Sequence, residues 1–499
     1  MTASKSHRST NPEHLIRWMI FLLLLICYSY FLPRWADWSQ NARLDLTLAI
    51  VDEKTLSIDN YYQNTGDFAY FEGHYYLDKA PGPSFLAVPV YTAIRPILHL
   101  PPVETLLIRL SNSSAFNQTL SEDGTGLLVE KIYFMIVLYV VSIFIGAIPS
   151  AILGVCLYNQ LSMFHLSRGW KLLLVGLYGI ATPAFPYSGA FFSHQLTAFL
   201  LFGSFQLIYL MTRNKPQPGG IFLAGVMLGW SIISEYPTAL IAGGIGIYFL
   251  SIKEFRRHTP WLILGGLIPG ILLAIYDWSI FHTILPVGYQ YSLNYQEQHS
   301  VGIISIGIPR LEALWGITFS SYRGLFFLSP FLLLGIPGFW YWWKSGEHRP
   351  VWWLSIWAVL SFILFNSSSI MWQGGYSIGP RYLIPMLPFL MLGLAAFIYR
   401  CGDKRWLRFL VGILGVWSFL AIWAETIGGQ SFPDWRRNPL FTYSIPNLLQ
   451  GDIARNLGMI LNLDGWASLI LLIVILAGLS GILFWYFKKY PDSIKEETG

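Results

Sequence analysis

The chain has 499 residues, 54% of them hydrophobic and 12% charged, with a mean hydropathy of +0.50. Soluble domains carry roughly 25% charged residues, so this composition excludes an ordinary soluble protein and fits one built into lipid. The formal charge of +5 does not imply a nucleic-acid partner, because the basic residues fall where membrane orientation places them. Cys27, Cys156 and Cys401 lie in or at the end of apolar runs and offer neither a disulfide framework nor a metal cluster.

A spanning helix needs roughly 20 mostly apolar residues. Twelve stretches qualify: 15–32, 131–157, 170–186, 188–211, 219–234, 236–252, 260–282, 324–343, 350–368, 381–399, 406–424 and 466–487. The first lacks a small-residue cleavage site and reads as a signal anchor. With residues 1–14 as a cytoplasmic tail, every second connection falls inside. Those connections, the N-terminal segment through Arg17 and the tail at 488–499 hold 19 of the 32 Lys and Arg residues, as the positive-inside rule requires. The expected fold is an all-α polytopic membrane protein with residues 15–487 as one domain and both termini cytoplasmic. Three outer segments are long: 33–130, 283–323 and 425–465. The first includes PSFLAVPVYTAIRPILHL, an amphipathic pattern suited to lying in the membrane interface. Triplets at Asn112 and Asn117 fit the N-glycosylation pattern.

Chemistry concentrates in residues 43–89. This stretch is acidic and aromatic, with Asp45, Asp52, Glu53, Asp59, Asp67, Glu72 and Asp78, and with Lys79 in DKAPGPS. A carboxylate accepts a hydroxyl proton as a new bond forms, and a cation stabilises charge that grows on a leaving phosphate. The prolines and glycine after Lys79 make a rigid turn that fixes Asp78 and Lys79.

Four further segments join spans on the outer side. In PAFPYSGAFFSHQL, His194 starts a helix and either binds a phosphate, assists an acceptor or serves in helix packing. In SEYPTAL, Glu235 beside Tyr236 binds sugar hydroxyls or pairs with an arginine. Arg323 in FSSYRGLFFLSP either seats a phosphate or snorkels at the interface. Arg381 follows Gly374, Gly375 and Gly379 and precedes a helix, whose N-terminus also favours anions.

The order of these segments resembles the GT-C membrane glycosyltransferases. Within these it is most similar to the bacterial branch that resembles protein O-mannosyltransferases and lipid A aminoarabinose transferases. The carrying motifs are DKAPG, FFSHQ, SYRG and GPRYL. The resemblance implies an inverting transfer on the outer face of the cell membrane, from a polyprenyl-phosphate sugar to a lipid, polysaccharide or protein acceptor. It implies a base in the first loop and donor-phosphate contacts from Lys79, Arg323 and Arg381. Arg43 in WSQNARLD matches the family's loop arginine, but Gln40 and Asn41 stand where the family carries acids. Asp45, Asp37 and Asp59 are therefore the candidate bases, with Asp45 favoured for its closeness to Arg43. Arg43, Asp78, His194, Glu235 and Tyr236 are expected to bind substrate. A divalent cation is compatible with so many acids, though no ligand spacing demands one. The alternative is a transporter or flippase for a lipid-linked sugar, which calls for internal repeats and a polar path through the membrane. No repeat is visible, and Asp277 is the main polar residue within a span.

Overall fold

Helices follow the apolar runs because a backbone out of water must satisfy its own hydrogen bonds. The computed structural model describes residues 12–34, 37–111, 113, 129–295, 298 and 306–490. The Asn112 and Asn117 triplets, part of the 283–323 segment, and Lys5, Arg8 and Lys495 of the tails lie outside the described residues.

Helices occupy every predicted apolar stretch. The main ones are α1 (Pro12–Ser29), α2 (Trp38–Leu48), α3 (Gly82–Leu98), α4 (Pro101–Ser111), α5 (Lys131–Phe164), α6 (Arg168–Ile180), α7 (Ser193–Thr212), α8 (Pro218–Ser234) and α9 (Tyr236–Ser251). They continue with α10 (Thr259–Phe281), α11 (Gly335–Ser345), α12 (Arg349–Ser368), α13 (Arg381–Cys401), α14 (Arg405–Ile427) and α15 (Gly465–Tyr486). Among the described residues, seven helices are long and apolar enough to cross a membrane: α5, α7, α10, α12, α13, α14 and α15. Helices α8 and α9 are apolar but shorter. The protein is an all-helical membrane protein.

Helices α7 and α13 are buried along most of their length and form the centre of the bundle. Helices α10 and α15 are bare along most of theirs. On α10 the exposed residues are Ile263, Leu264, Leu267, Ile268, Ile271, Ile275 and Trp278. So large an apolar face is not tolerated in water and meets lipid. The other side of α10 lies directly on α8. A Cβ at Gly225 would land on the Leu262 carbonyl, and one at Gly265 on the Phe222 carbonyl, so glycine is what lets these two backbones touch.

One β-hairpin interrupts the helical pattern. Strands β1 (Phe68–Phe71) and β2 (His74–Leu77) pair antiparallel, with Phe68 opposite Leu77. Glu72 and Gly73 both take positive φ, at 48° and 89°, as a tight two-residue hairpin turn requires. Stacked aromatic rings stiffen the hairpin, with Tyr62 lying 4.1 Å from Tyr75 and nearly parallel to it.

Candidate active site

The first loop begins with a helix whose polar residues are all buried. Asp37 is the N-cap of α2 and accepts a hydrogen bond from the Gln40 amide at 3.1 Å. Gln40 accepts in turn from the Phe191 amide at 2.9 Å, which ties α2 to the segment just before His194. Asn41 donates to the Asn64 carbonyl at 2.8 Å. The two amides that replace the expected acids therefore hold the loop in place.

Two residues apart on a helix point to different sides. Arg43 faces a cavity, whereas Asp45 faces the hairpin side and accepts from the Asn64 amide at 3.0 Å. Asp45 is fully buried, its second oxygen has no partner, and burial raises its pKa well above the usual carboxylate range. It does not line the cavity. Asp59 is also elsewhere. Its carboxylate takes the His74 ring nitrogen at 2.6 Å and the Tyr75 amide at 2.7 Å, so it braces the hairpin. Burial pushes the Asp59 pKa up, but those hydrogen bonds outweigh it and hold the group below its ordinary value. Of the three candidate bases only Asp37 reaches the cavity.

The DKAPGP turn is pressed against the end of α8. A Cβ at Gly82 would stand 2.7 Å from the Ile233 carbonyl oxygen, and Trp230 donates to the Gly82 carbonyl at 3.3 Å. This contact sets Lys79 on the same cavity wall as Glu235, which follows α8. Lys79 is neutralised locally, with Asp67 at 3.0 Å and Asp78 at 3.3 Å. Burial opposes the ammonium charge, yet these two carboxylates more than compensate and raise its pKa. Asp78 stays behind Lys79, buried and bonded to the Ser292 hydroxyl at 3.0 Å, and does not line the cavity. Tyr236 packs near Tyr289, outside the lining.

On the opposite wall, Gly374, Gly375 and Gly379 all have positive φ, between 59° and 72°, which explains the glycines of this segment. Their shape is fixed from behind by Arg323. Its guanidinium donates to the carbonyls of Gln373, Gly375, Pro433 and Asp434 at 2.9–3.2 Å. Arg323 is fully buried and absent from the cavity, so the expected phosphate contact is corrected to a structural one. It joins two loops that both face the cavity. Arg323→Lys is expected to lower stability by about 3 kcal/mol, because a point donor cannot serve so many diverging carbonyls. A thermal-unfolding shift in detergent checks this, and an unchanged midpoint would refute it.

The cavity holds about 880 Å³ and opens at the end of the bundle where the first loop lies. Asp37, Arg43, Asp67, Lys79, His194, Glu235 and Arg381 line it, with Trp38, Tyr376 and Trp435 exposed along it. Its electrostatics are uneven. Lys79 has two carboxylates, and His194 shares a short contact with Glu235 at 2.8 Å. Among the described residues, Arg43 and Arg381 have no carboxylate within ion-pair distance. Arg43 donates only to the carbonyl and hydroxyl of Ser39, both at 2.6 Å. Arg381 lies over the rings of Phe192 and Tyr382 at 5.1 and 5.2 Å. The Nε of each arginine is buried without a partner. Burial pushes the Asp37 pKa up to about 6, with Arg381 and the Gln40 amide pulling against it.

Sequence reasoning passed over several lining residues. Asp67, at the hairpin entrance, stands among the loop acids without a role assigned to it, and Tyr289, Tyr295, Ser431 and Trp435 come from segments without local pattern. Among the described residues no group of three or more His, Cys, Asp or Glu side chains is placed to hold a metal ion. The geometry defines an all-helical membrane protein with an anion-ready polar cavity at one end. Comparison with known proteins adds no family: no protein-family model matches the chain, and no curated protein matches it.

Proposed function

We propose that the protein is a membrane glycosyltransferase of the GT-C kind, with about twelve spans and its cavity on the outer face. It moves a sugar from a polyprenyl-phosphate donor to a hydroxyl of a lipid, polysaccharide or protein acceptor. One observation carries this: among the described residues, Arg43 and Arg381 line the cavity with no carboxylate within ion-pair distance, and the Asp37 carboxylate lines it as well. A buried cation without an anion is costly, so an incoming anion is the natural partner. Two guanidinium groups suit the oxygens of a phosphate.

The donor's tail has a path. The bare apolar face of α10 runs toward the segment that supplies Tyr289 and Tyr295 to the cavity. A polyprenyl chain can stay in lipid there while its phosphate enters. Exposed Trp38, Tyr376 and Trp435 offer flat apolar faces to sugar rings. In the transfer, Asp37 takes the acceptor's proton as oxygen bonds to the anomeric carbon. The bond from that carbon to the phosphate oxygen breaks, and Arg43 and Arg381 receive the charge. Attack from the side opposite the phosphate inverts the anomeric centre. Lys79, with Asp67 and Asp78, is a fixed donor for sugar hydroxyls. A transport role is less supported, since the polar lining comes from loops and helix ends rather than a path through the bundle.

The test is release of free polyprenyl phosphate by purified protein given a panel of polyprenyl-phosphate sugars and hydroxyl acceptors. Release by wild type that is lost in Arg43→Met is the expected result. Absence of release with every donor, together with flipping of the same lipids in vesicles, would replace transfer by transport.

A further inference from the structure

The steps above leave one buried polar group in the cavity unused. Ser193 and His194 open α7, and Glu235 follows α8. His194 Nδ1 is 2.8 Å from Glu235 Oε2, and the Ser193 hydroxyl donates to the same oxygen at 3.2 Å. An ionised carboxylate only accepts, so Nδ1 carries the proton in this pair. Among the described residues the other ring nitrogen, Nε2, has no protein partner. The ring is clamped by Tyr187, Phe192 and Tyr382, with centroids 5.5–5.7 Å away. It cannot swing aside, and it faces the cavity.

The charged groups around this ring oppose one another. Glu235 favours a second proton on it. Its burial, and then Arg43 and Arg381 on the same cavity, oppose one. Tyr187 and Tyr382 are neutral neighbours, and Asp37 lines the same cavity. An anion seated on the two arginines removes their part of that opposition and adds its own negative charge to that of Glu235, so the second proton is held against the cost of burial.

We propose that His194, held by Glu235, is a general acid that gains a proton when a phosphate anion seats on Arg43 and Arg381 and gives it to the leaving phosphate oxygen. This rests on the transferase function proposed above. As the anomeric carbon–oxygen bond breaks, its electron pair stays on that oxygen, which takes the Nε2 proton. The products are a singly protonated lipid phosphate and neutral His194. The acceptor's proton sits on Asp37, and exchange with solvent resets both groups.

Dimethyl phosphate is a suitable probe, because it is an anion that does not itself titrate near neutral pH. Its binding to the full chain in detergent is measured by calorimetry in two buffers of different ionisation enthalpy. The expected result is uptake of about one proton per anion bound in wild type. His194→Gln is expected to keep anion binding, lose the uptake, and slow transfer by about 10²-fold or more. Glu235→Gln is expected to reduce the uptake with binding retained, and it serves as the test should His194→Gln fail to fold. Failure of dimethyl phosphate to bind, binding by wild type without uptake, or uptake that persists in both variants would overturn the proposal. Uptake without any sugar transfer would keep the anion-linked dyad as a site and overturn its role as acid together with the transferase function. Transfer without uptake would remove the dyad alone.

Discussion

Arg381→Met is expected to abolish binding of a lipid phosphate and, at the same time, to raise the thermal stability of the ligand-free protein. Most substitutions at a polar position of this kind cost stability. Arg381 differs because it lines the cavity without a carboxylate partner, and its Nε is buried and unbonded. Its contacts are a long hydrogen bond to the Tyr382 hydroxyl at 3.4 Å and two ring faces, Phe192 at 5.1 Å and Tyr382 at 5.2 Å, against which a methionine side chain also packs. Replacing a poorly compensated buried charge by an apolar group of similar length is often stabilising by about 1–4 kcal/mol. The same change removes a charged fork from the phosphate, which is expected to slow transfer by about 10²–10³-fold. Unfolding midpoints with and without donor lipid, read beside transfer rates, check both halves. A midpoint that falls together with activity would make Arg381 a structural residue. Arg323 serves as the contrast, since its guanidinium is fully engaged by carbonyls and its loss is expected to destabilise.

Asp37→Asn is expected to cut the transfer rate by about 10²–10⁴-fold while leaving the helix it caps intact. Asparagine and aspartate are about equally good N-caps, so the hydrogen bond from the Gln40 amide survives the exchange. Only the ability to take a proton is lost. The pH dependence follows from the same residue. Burial lifts the Asp37 pKa to about 6. A base must be ionised to act, so the rate is expected to rise with pH through about 6. The variant's residual activity is expected to lack this acid limb. A full acid limb in Asp37→Asn, or activity near that of wild type, would move the base elsewhere in the cavity.

How much of this was legible in the sequence varied with the range of the interaction. Helix positions were, because apolar runs and short polar breaks are local signals. The proline and glycine turns beside Lys79 and Arg381 are local signals too, but the expectation that the two serve one site comes from the family resemblance. Asp45 was favoured as base for its closeness to Arg43, yet a helix turns residues two apart away from each other. Arg323 was read as a phosphate contact, and only the folded chain reveals the carbonyls gathered around it. Gln40 and Asn41 looked like departures from an acidic motif. Their bonds to Phe191 and Asn64 are tertiary, and no spacing rule announces them. The hairpin was hidden because FAYF and HYYL are aromatic throughout rather than cleanly alternating.

The cavity draws its lining from Asp37 near the start of the chain through Trp435 near its end. This has a consequence for biosynthesis. The early part of the chain supplies Lys79, His194 and Glu235, but the glycine-rich wall and Arg381 come much later, and Arg323 cannot lock that wall until Pro433 and Asp434 have left the ribosome. A nascent chain therefore travels through most of its insertion without a competent phosphate seat. If the protein is the transferase proposed above, lipid-linked sugars in the same bilayer are thereby protected from premature discharge by half-made copies, and the cavity is completed in one late step.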